Sequence, residues 1–559
     1  MKDYPSYIEN ILNSNMPGVD FNGACVISQN PLADYTVPCF KFAKILRKSP
    51  VAIAQQLKPF FDNDTTFESV SEVNGYLNFK LNKISQANEV ISSVLGSENY
   101  GSSKLGNGKT ICIDYSSINI AKPFHIGHLS TTVIGAALAR IYAYLGYKVV
   151  SINHLGDWGT QFGKLISAYK RYGNEEAVIK GGVKELMKIY VKFHEEAEKD
   201  PSLNDEARAY FKAIEDGSEE EMKLYNFFKE ITLNEVSKTY SALNVKFDSY
   251  AGESFYNDKM APIINELKDK GLMTLSDGAY VVPLSDYNMP PCIILRSDGA
   301  TLYATRDLAA AEYRYNTYDF EKCLYVVAYQ QNLHFQQIFK VMELMKKPYA
   351  DKVEHVSYGM VSLEGGVSLS TRHGNVVFLE DVIKTAIDKA KSIITEKNPN
   401  LADKDEIARK VGTGAVVFTP LVNNRIKDIV FSYDKVLSFE GESAPYIQYT
   451  YARANSVMEK AGDLSSYVVD SVNDTEFDLI MNIAQIPDVL LAVINKNEPS
   501  FLTRKLLDVA KAYNKFYFEC PILNADENSK NFRLALTKCA MKVLKQGLEL
   551  LGIEVPEKM

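Results

Sequence analysis

The chain contains 559 residues, of which 46% are hydrophobic and 24% are charged, and its formal net charge is −8. This composition is ordinary for a folded globular protein, and the length predicts about three to four domains, because ~100–200 residues per domain is typical. The net charge is not typical of a polyanion-binding protein, although a local basic patch can still bind RNA.

No apolar run reaches the ~18 residues that a membrane-spanning helix needs. The first residues, MKDYPSYIEN, lack the basic-then-apolar order of a secretory signal. We therefore expect a cytoplasmic protein that does not bind membranes. Seven cysteines are scattered without a C-x-x-C pair, so we expect reduced thiols in the core and no structural zinc.

The first part of the chain predicts a small domain followed by an α/β unit. Residues 1–108 mix short helical and strand patterns and end in GSSKLGNGK, a Gly/Ser-rich stretch that is typical of a linker. KTICIDYSS predicts a strand, and from Ile126 apolar residues recur at the helical period up to Leu145. KVVSINHLGD predicts the next strand. This strand–helix–strand succession is typical of a nucleotide-binding fold with a parallel sheet.

The second half of the chain changes character twice. Residues 160–245 are charged and helical in pattern, which indicates an insertion at about 160–290. Strand patterns return in AYVVPL, CIILRS, CLYVVAYQQ and HVSYGMVSL, and after residue 400 the pattern is almost wholly helical. We predict a small N-terminal α+β domain at 1–108, a Rossmann-like parallel-sheet catalytic domain at 109–400, and an all-α bundle at 401–559.

The segment KPFHIGH lies at residues 122–128, between the first predicted strand and its helix. A parallel sheet places phosphates at this point, because the free N–H groups of a helix N-terminus attract anions. Gly127 lets a nucleotide approach the backbone closely, and His125 and His128 can donate hydrogen bonds to an α-phosphate in the transition state. A structural hydrogen bond is the alternative for either histidine, but two histidines around one glycine favour catalysis.

The motif HIGH is the first signature of class I aminoacyl-tRNA synthetases, and its surroundings closely resemble the arginyl-tRNA synthetase family. The matching blocks follow in the family's order: DYSSINIAKPFHIGHL, NHLGDWGTQFGKLI, SDGATLYATRDLAAAEYR, VVAYQQNLHF, STRHGNVVFLEDV and LSFEGESAPYIQYTYAR. The resemblance runs from about residue 70 to the C-terminus. It implies ATP-dependent ligation of L-arginine to the 3′ end of its tRNA through arginyl-adenylate, with tRNA bound before the adenylate forms.

The resemblance also implies a pocket for arginine, whose guanidinium carries a fixed charge and five hydrogen-bond donors. Asp307 and Tyr303 are expected to hold the guanidinium. Asp114 and Asn119 are expected to position the α-amino and carboxylate groups, and Gln331 to contact the substrate as well. Taken alone, Asp307 is equally a carboxylate that a helix N-terminus stabilises.

The second class I signature, usually KMSKS, is altered in this chain. Residues 368–375 read SLSTRHGN, with Ser368 in place of the first lysine. Family members without that lysine commonly carry one just before HIGH, where Lys122 stands; a solvated loop cation is the alternative. The resemblance assigns catalysis to His125, His128, Lys122 and Arg372, and ATP binding to those residues together with Gly127, Ser370 and Thr371. We expect Mg²⁺ to accompany ATP rather than to occupy a protein site.

Two further departures concern the first block. Ile118 replaces the family's proline, which costs loop rigidity but no functional group. Ser130 follows HIGHL where the family often has arginine, so the phosphate or RNA contact of that arginine is in doubt.

The resemblance places tRNA contacts at both ends of the chain. NGYLNFKL resembles the segment that binds the tRNA D-loop, where Tyr76 would stack on a base and Asn78 would hydrogen-bond. The anticodon is expected to bind a cluster of rings, an amide and a guanidinium, namely Tyr446, Gln448, Tyr449, Tyr451 and Arg453. An ordinary strand tyrosine and tyrosines of a hydrophobic core are the respective alternatives.

A basic run near the C-terminus contains five cations and no acid between Asn528 and Leu548: Lys530, Arg533, Lys538, Lys542 and Lys545. Either it tracks RNA phosphates or it is a solvated helix face. We expect a monomer. The altered second signature leaves one non-enzymatic alternative, a catalytically silent paralogue that binds tRNA or arginine. A smaller class I-like nucleotidyltransferase is disfavoured because the long helical tail would have no role in it.

Overall fold

A computed structural model describes residues 3–30, 32–296, 301, 303–364, 377–462, 464 and 466–559. The chain forms two compact units. One comprises Met1–Gly101, Arg453–Asp488 and Leu507–Leu544, and the other comprises Ser102–Ala452, Val489–Leu506 and Lys545–Met559. We call them the first unit and the second unit.

The described α-helices are α1 (Tyr4–Asn15), α2 (Ala43–Leu46), α3 (Pro50–Leu57), α4 (Lys83–Gly96), α5 (Leu129–Tyr144), α6 (Thr160–Tyr172), α7 (Glu175–Lys199), α8 (Ser202–Glu215), α9 (Glu219–Ala242), α10 (Met260–Asp269), α11 (Tyr303–Tyr318), α12 (Asn332–Leu344), α13 (Leu379–Lys397), α14 (Lys404–Val422), α15 (Tyr433–Val436), α16 (Ala444–Ala461), α17 (Asp474–Ala484), α18 (Ile486–Lys496), α19 (Ser500–Glu519) and α20 (Glu527–Leu550). The described strands are β1 (Val26–Ile27), β2 (Tyr35–Pro38), β3 (Phe67–Val73), β4 (Tyr76–Leu81), β5 (Thr110–Asp114), β6 (Lys148–Ile152), β7 (Thr274–Ser276), β8 (Ala279–Val282), β9 (Cys292–Leu295), β10 (Phe320–Tyr325), β11 (Val353–His355), β12 (Val361–Leu363) and β13 (Ile429–Phe431).

The first unit is built on an antiparallel sheet with strand order β1-β2-β4-β3. Leu77 and Phe79 of β4 are fully buried, and they belong to a core that includes Val37 of β2 and Ile53 of α3. Helix α17, from the C-terminal region, packs against α4. The N-terminal α+β fold predicted from sequence is confirmed, and helices from the far end of the chain complete its unit.

The second unit contains a parallel sheet with strand order β11-β10-β5-β6. Ile111, Cys112 and Ile113 of β5 are all buried, as expected for a parallel strand that is covered on both faces. Helix α5 follows β5 and carries the predicted apolar stripe, of which Ala137, Leu138 and Ile141 are fully buried. The predicted strand–helix–strand opening of a nucleotide-binding fold is confirmed.

The charged segment after β6 forms the four helices α6 to α9. The strand patterns AYVVPL and CIILRS form β8 and β9, which lie with β7 in a separate antiparallel sheet of order β7-β8-β9 instead of joining the parallel one. Farther on, β13 pairs with β12 in parallel, and the remaining described residues are mostly helical. The fold class predicted from sequence is therefore confirmed, whereas the domain boundaries at 108 and 400 remain predictions.

Within the described part of the chain, one segment, Asp474–Lys496, is long and apolar enough to cross a membrane by length and composition alone, which contradicts the expectation from sequence that no apolar run reaches this length. It consists of α17 and α18, and Leu479, Ile483, Leu490 and Val493 within it are fully buried in the protein. Core helices pass the same test of length and composition.

Candidate active site and RNA-facing residues

The loop after β5 has a strained backbone. Ser116, Ser117 and Ala121 have φ angles of 70°, 44° and 58°, in the left-handed region that side chains other than glycine rarely adopt. The loop is held by surrounding elements: Ser116 N–H donates to Thr131 Oγ1 at 2.9 Å, and Ala121 N–H donates to Thr232 Oγ1 at 3.0 Å. Strain that neighbouring elements support in this way is common at functional sites.

The two histidines of HIGH form the turn that opens α5. Gly127 N–H donates to His125 Nδ1 at 3.0 Å, and His125 N–H donates to His128 Nδ1 at 3.3 Å. Burial lowers the pKa of His125 to about 4 and that of His128 to about 3. Both rings are therefore neutral at pH 7, and because each Nδ1 accepts a hydrogen bond, each ring carries its proton on Nε2. Two N–H donors thus remain available to an anion.

The same loop is bonded to the chain that follows the second signature. Ile126 N–H donates to the Val377 carbonyl at 3.3 Å, and Leu379 N–H donates to the Phe124 carbonyl at 2.9 Å. The predicted ATP-binding residues Ser370, Thr371 and Arg372 lie outside the described residues, as does Ser368. The described chain that follows them, from Val377, is thus bonded to the HIGH turn.

Lys122 lies close enough to this turn for its charge to affect the neighbouring groups. Its positive charge lowers the pKa of His128, after the larger effects of burial and of His125, and it also acts to lower the pKa of Glu253.

Ile118 and Ser130, the two departures from the family pattern, are each 2% exposed. Ile118 therefore fills the core in place of the family's proline, and Ser130 presents no side chain to a ligand at the surface.

Asp307 is held in place by a histidine. His334 Nε2–H donates to Asp307 Oδ2 at 2.6 Å, and both side chains are 24% exposed. Burial acts to raise the pKa of Asp307, but the hydrogen bond and charge of His334 outweigh it, so the pKa lies below its ordinary value. Asp307 is thus an ionised, partly accessible acceptor at the start of α11, as a guanidinium requires.

Glu253 is a candidate site residue to which no motif in the sequence points. Its side chain is 13% exposed, and it forms an ion pair with Arg306 at 3.4 Å between Arg306 Nη1 and Glu253 Oε2. Burial raises the pKa of Glu253 to about 7; Arg306 opposes this rise, and the negative charge of Asp307 adds to it. The charges of Glu253 and Asp307 therefore act on each other. The only sequence signal was an acidic residue after a glycine in YAGESFY.

The motif block NHLGDWG holds the backbone around Glu253 through hydrogen bonds. Asp157 is fully buried and accepts hydrogen bonds from Ser254 N–H and Ser254 Oγ, each at 2.8 Å, and from Lys229 Nζ at 2.6 Å. Glu253 N–H donates to the Leu155 carbonyl at 2.9 Å. The buried carboxylate of Asp157 thus fixes the turn that carries Glu253.

Asp114 ends β5 in a buried pair. Its Oδ2 accepts a hydrogen bond from Arg314 Nη2 at 2.7 Å, and its Oδ1 accepts one from Ser117 Oγ at 2.9 Å. Arg314 is 1% exposed and lies over the ring of Tyr325 at 5.3 Å. The sequence predicted a substrate contact for Asp114, and the structure adds a cationic partner that already neutralises it.

The other predicted arginine-binding residues are accessible. Asn119 is exposed, and it bridges to Gly156, whose missing Cβ leaves room for the Asn119 side chain. Tyr303 is 63% exposed at the first turn of α11, and Gln331 is exposed in the turn before α12. Asp114 ends β5, Asn119 follows it, and Gln331 follows β10. The three residues therefore lie beyond the carboxyl ends of parallel strands, where such folds bind ligands.

The residues predicted to contact the D-loop differ in accessibility. Tyr76 is 42% exposed at the start of β4, whereas Asn78, two residues on, is 7% exposed within the sheet. Tyr76 is available to stack on a base, and the side chain of Asn78 is largely covered by the first unit itself.

The anticodon cluster is divided in the same way. Gln448 is fully buried and donates to the carbonyls of Lys410 at 3.2 Å and Glu554 at 2.7 Å, and Tyr451 is 6% exposed. Tyr449 is 39% exposed, and Tyr446 is partly buried. Gln448 and Tyr451 are therefore covered by the protein itself, which fits the alternative interpretation that they are core residues and do not contact the anticodon.

Arg453, the last member of the cluster, lies in the first unit. It donates to Asn514 Oδ1 at 2.5 Å, and its guanidinium lies over the ring of Tyr517 at 5.3 Å. Next to Tyr517 on α19, the ring of Phe518 is 89% exposed. Arg453 thus contacts α19 through Asn514 and Tyr517, and the same helix also carries the exposed ring of Phe518.

Two members of the basic run on α20 have structural roles. Lys542 donates to the carbonyls of Val94 and Ser97 at the end of α4, and Arg533 donates to Glu476 Oε1 at 2.8 Å. Lys538 and Lys545 are exposed. If the run binds RNA phosphates, Lys542 and Arg533 are therefore already engaged within the protein, and fewer side chains are available than the sequence indicated.

Comparison with known proteins assigns the chain to a family. The profile described as tRNA synthetases class I (R), catalytic domain, matches residues 90–433; the DALR anticodon binding domain matches 447–559, and the arginyl tRNA synthetase N terminal domain matches 14–81. An arginine–tRNA ligase from Clostridium beijerinckii is 52% identical over 532 residues, which cover 94% of each chain. One from Alkaliphilus metalliredigens is 48% identical over 570 residues, which cover 100% of each chain.

Solved structures agree with this assignment. The arginyl-tRNA synthetase of Thermus thermophilus superposes with a TM-score of 0.82 at 27% identity, covering 100% of this chain and 99% of that one. The arginyl-tRNA synthetase of Plasmodium falciparum has the same fold, with a TM-score of 0.81 at 23% identity and coverage of 100% and 98%. The chain therefore belongs to the arginyl-tRNA synthetase family of the class I tRNA synthetases.

Proposed function

We propose that this chain ligates L-arginine to the 3′ end of its tRNA, with ATP converted to AMP and pyrophosphate. The observation that carries the proposal is the pairing of two sites at one end of the parallel sheet. Neutral His125 and His128 form a donor site for phosphate, and Asp307 and Glu253 form an acceptor site for a cation.

The acceptor site suits arginine among the amino acids. A guanidinium offers donors in a planar fork, and charge-assisted bonds to carboxylates are the strongest that it makes. Asp307 remains ionised because of His334. A cation that binds beside Glu253 would lower the pKa of this carboxyl and favour its ionised form. Lysine or citrulline would leave buried acceptors unpaired, so no editing step is needed.

In the first step, the arginine carboxylate attacks the α-phosphorus of ATP in line, and pyrophosphate leaves. The Nε2–H groups of His125 and His128 donate to the α-phosphate oxygens as their charge grows, and Lys122 and Arg372 stabilise the leaving pyrophosphate. Gly127, Ser370 and Thr371 complete the ATP site, and Mg²⁺ enters as the ATP complex. In the second step, a ribose hydroxyl of the tRNA attacks the activated carbonyl, and AMP leaves. No covalent enzyme intermediate is required.

The tRNA is recognised by both ends of the chain in this proposal. Tyr76 contacts the D-loop, and Tyr449, which is 39% exposed, is the member of the anticodon cluster whose exposure suits contact with unstacked bases. We further propose that the protein acts in the cytoplasm as a monomer and that adenylate formation requires bound tRNA.

The test is arginine-dependent ATP–pyrophosphate exchange, measured with and without total tRNA. We expect exchange only when both arginine and tRNA are present, and none with lysine or citrulline. The double variant His125→Ala/His128→Ala, purified in the same way, excludes exchange by a contaminating host enzyme. A folded wild-type protein without exchange under either condition would favour the catalytically silent paralogue.

A further inference from the structure

Helix α9, the last of the four helices α6 to α9, carries a row of polar side chains on one face. The row consists of Tyr225, Lys229, Thr232 and Tyr240. With 3.6 residues per turn, these four positions fall within about 80° of one another around the helix axis and extend over about 22 Å. Tyr225, Thr232 and Tyr240 are at most 3% exposed, and Lys229 is 27% exposed. Buried polar groups lower stability unless they are hydrogen-bonded, so each of these side chains needs a partner in the folded protein.

The first half of the row binds the loop that follows β6, residues 153–159. The Asp157 carbonyl accepts a hydrogen bond from the Tyr225 hydroxyl at 2.9 Å. Lys229 Nζ donates to Asp157 Oδ2 at 2.6 Å and forms an ion pair with this fully buried carboxylate. Asp157 also accepts two hydrogen bonds from the residue next to Glu253. Lys229 is therefore connected, through Asp157, to the turn that carries Glu253.

The second half of the row binds the loop that follows β5, residues 115–125. Ala121 N–H donates to Thr232 Oγ1 at 3.0 Å, and the hydroxyls of Tyr240 and Ser116 are hydrogen-bonded at 2.7 Å. Ser116 and Ala121 are two of the residues with left-handed φ angles, 70° and 58°. Such conformations persist only where the surrounding structure holds them. Helix α9 therefore supports this loop at two of its strained positions.

We propose that α9 positions both substrate sites, with Thr232 acting on the phosphate site and Lys229 acting on the arginine site. Thr232 holds Ala121, which directly precedes Lys122, the residue assigned to the ATP phosphates. Lys229 holds, through the loop after β6, the turn of Glu253, which is assigned to the guanidinium. Both are positioning residues, because each acts through a loop and touches no substrate. This inference rests on the proposed function, which supplies the two substrates.

The alternative is that the row only stabilises the fold. Loss of one of its side chains would then lower the melting temperature and affect both substrates equally, or neither. The proposal instead predicts that Thr232 and Lys229 affect different substrates, because each is bonded to a different loop.

The phosphate side is tested with Thr232→Val, which keeps the shape of the side chain and removes the hydroxyl. ATP–pyrophosphate exchange is measured with total tRNA present, and KM is determined separately for ATP and for arginine. We expect the exchange rate to fall about 10- to 100-fold, because a displacement of about 1 Å at a reacting site has an effect of this size. KM for arginine should not change. Thr232→Ser keeps the hydroxyl and should retain most of the wild-type rate.

Thr419→Val on α14 is the matched control for the loss of a buried threonine hydroxyl. Thr419 is 8% exposed and donates to the Ala415 carbonyl at 2.8 Å, just as Thr232 donates to the Phe228 carbonyl at 2.8 Å. Both variants therefore lose the same kind of bond within a helix. Thermal unfolding should show a similar loss of stability from that bond, but Thr419→Val should exchange pyrophosphate at the wild-type rate.

The arginine side is tested with Lys229→Met, by equilibrium binding of labelled arginine without ATP. We expect arginine binding to weaken by about tenfold or more, because the turn of Glu253 loses its support, and KM for ATP in the exchange assay to stay unchanged. Lys229→Arg keeps a cation and should bind arginine more tightly than Lys229→Met does. Lys223→Met, at an exposed lysine of the same helix, should bind arginine as the wild type does.

The two variants together decide the proposal. A loss confined to the ATP-dependent step in Thr232→Val and to arginine binding in Lys229→Met supports it. Equal losses for both substrates in either variant, or wild-type behaviour of either variant, would overturn it. If the folded wild type shows no exchange at all, the proposed function itself fails, which is a different result from an active wild type with unselective variants.

Discussion

The raised pKa of Glu253 predicts that arginine binds more tightly as the pH rises. A guanidinium binds the ionised carboxylate, and burial holds the pKa of this carboxyl at about 7 in the free protein. For such a group the ionised fraction is about 9% at pH 6 and about 91% at pH 8. The dissociation constant for arginine should therefore fall roughly tenfold between these two pH values. Asp307, whose pKa is lowered, stays ionised throughout and adds no slope.

The measurement is equilibrium binding of labelled arginine without ATP, because the phosphates of ATP also titrate in this range. Glu253→Gln should remove most of the slope and weaken binding at pH 8 by about 10- to 100-fold, the usual cost of one hydrogen bond to a charged group. Asp307→Asn should weaken binding at both pH values and keep the slope. A flat profile in the wild type, or a slope that survives in Glu253→Gln, would refute the assignment of Glu253 to the guanidinium.

Three further predictions concern single positions. Lys122→Ala should lower the rate of ATP–pyrophosphate exchange by about 100-fold without lowering the melting temperature, because Lys122 is assigned to the phosphates; an unchanged rate would contradict that assignment. Gly156→Ala would place a Cβ 2.2 Å from Asn119 Oδ1, and the displaced amide should raise KM for arginine by about tenfold or more; an unaltered KM would remove Asn119 from the pocket. Gly163→Ala would place a Cβ 1.9 Å from a backbone oxygen of α8 and should lower the free energy of unfolding by about 1–3 kcal/mol. The control Gly96→Ala has open space around its Cβ and should not destabilise the protein. Thermal unfolding compares the two variants, and equal effects would show that the close contact at Gly163 does not limit stability.

The buried pair Asp114–Arg314 shows how far a resemblance between sequences can carry a residue's role. The family pattern assigns Asp114 to the substrate, and its position at the end of β5 agrees with a ligand site. Arg314 occupies one of its oxygens, however, and Ser117 the other. A substrate amino group at Asp114 would therefore share a carboxylate that already accepts hydrogen bonds from Arg314 and Ser117. Asp114 thus has a structural role in addition to any contact with the substrate.

Features that depend on neighbours along the chain could be predicted from the residues alone. The strand β5, the HIGH turn and the apolar stripe of α5 follow one another within 40 residues, so their hydrophobic period and motif spacing predicted both the fold and the phosphate site. The order of the family blocks predicted the arginine-directed chemistry in the same way, because each block is a local pattern.

Which side chains are covered, and which distant side chains meet, could be read only from the folded chain. Asn78 and Gln448 carry amides that suit RNA contact, but the sheet and the helices around them cover both. Lys542 caps α4, Glu253 pairs with Arg306, and Phe40 meets Tyr76 across a hairpin tip. Burial and long-range proximity result from how the elements pack, and a local pattern of residues contains no measure of either.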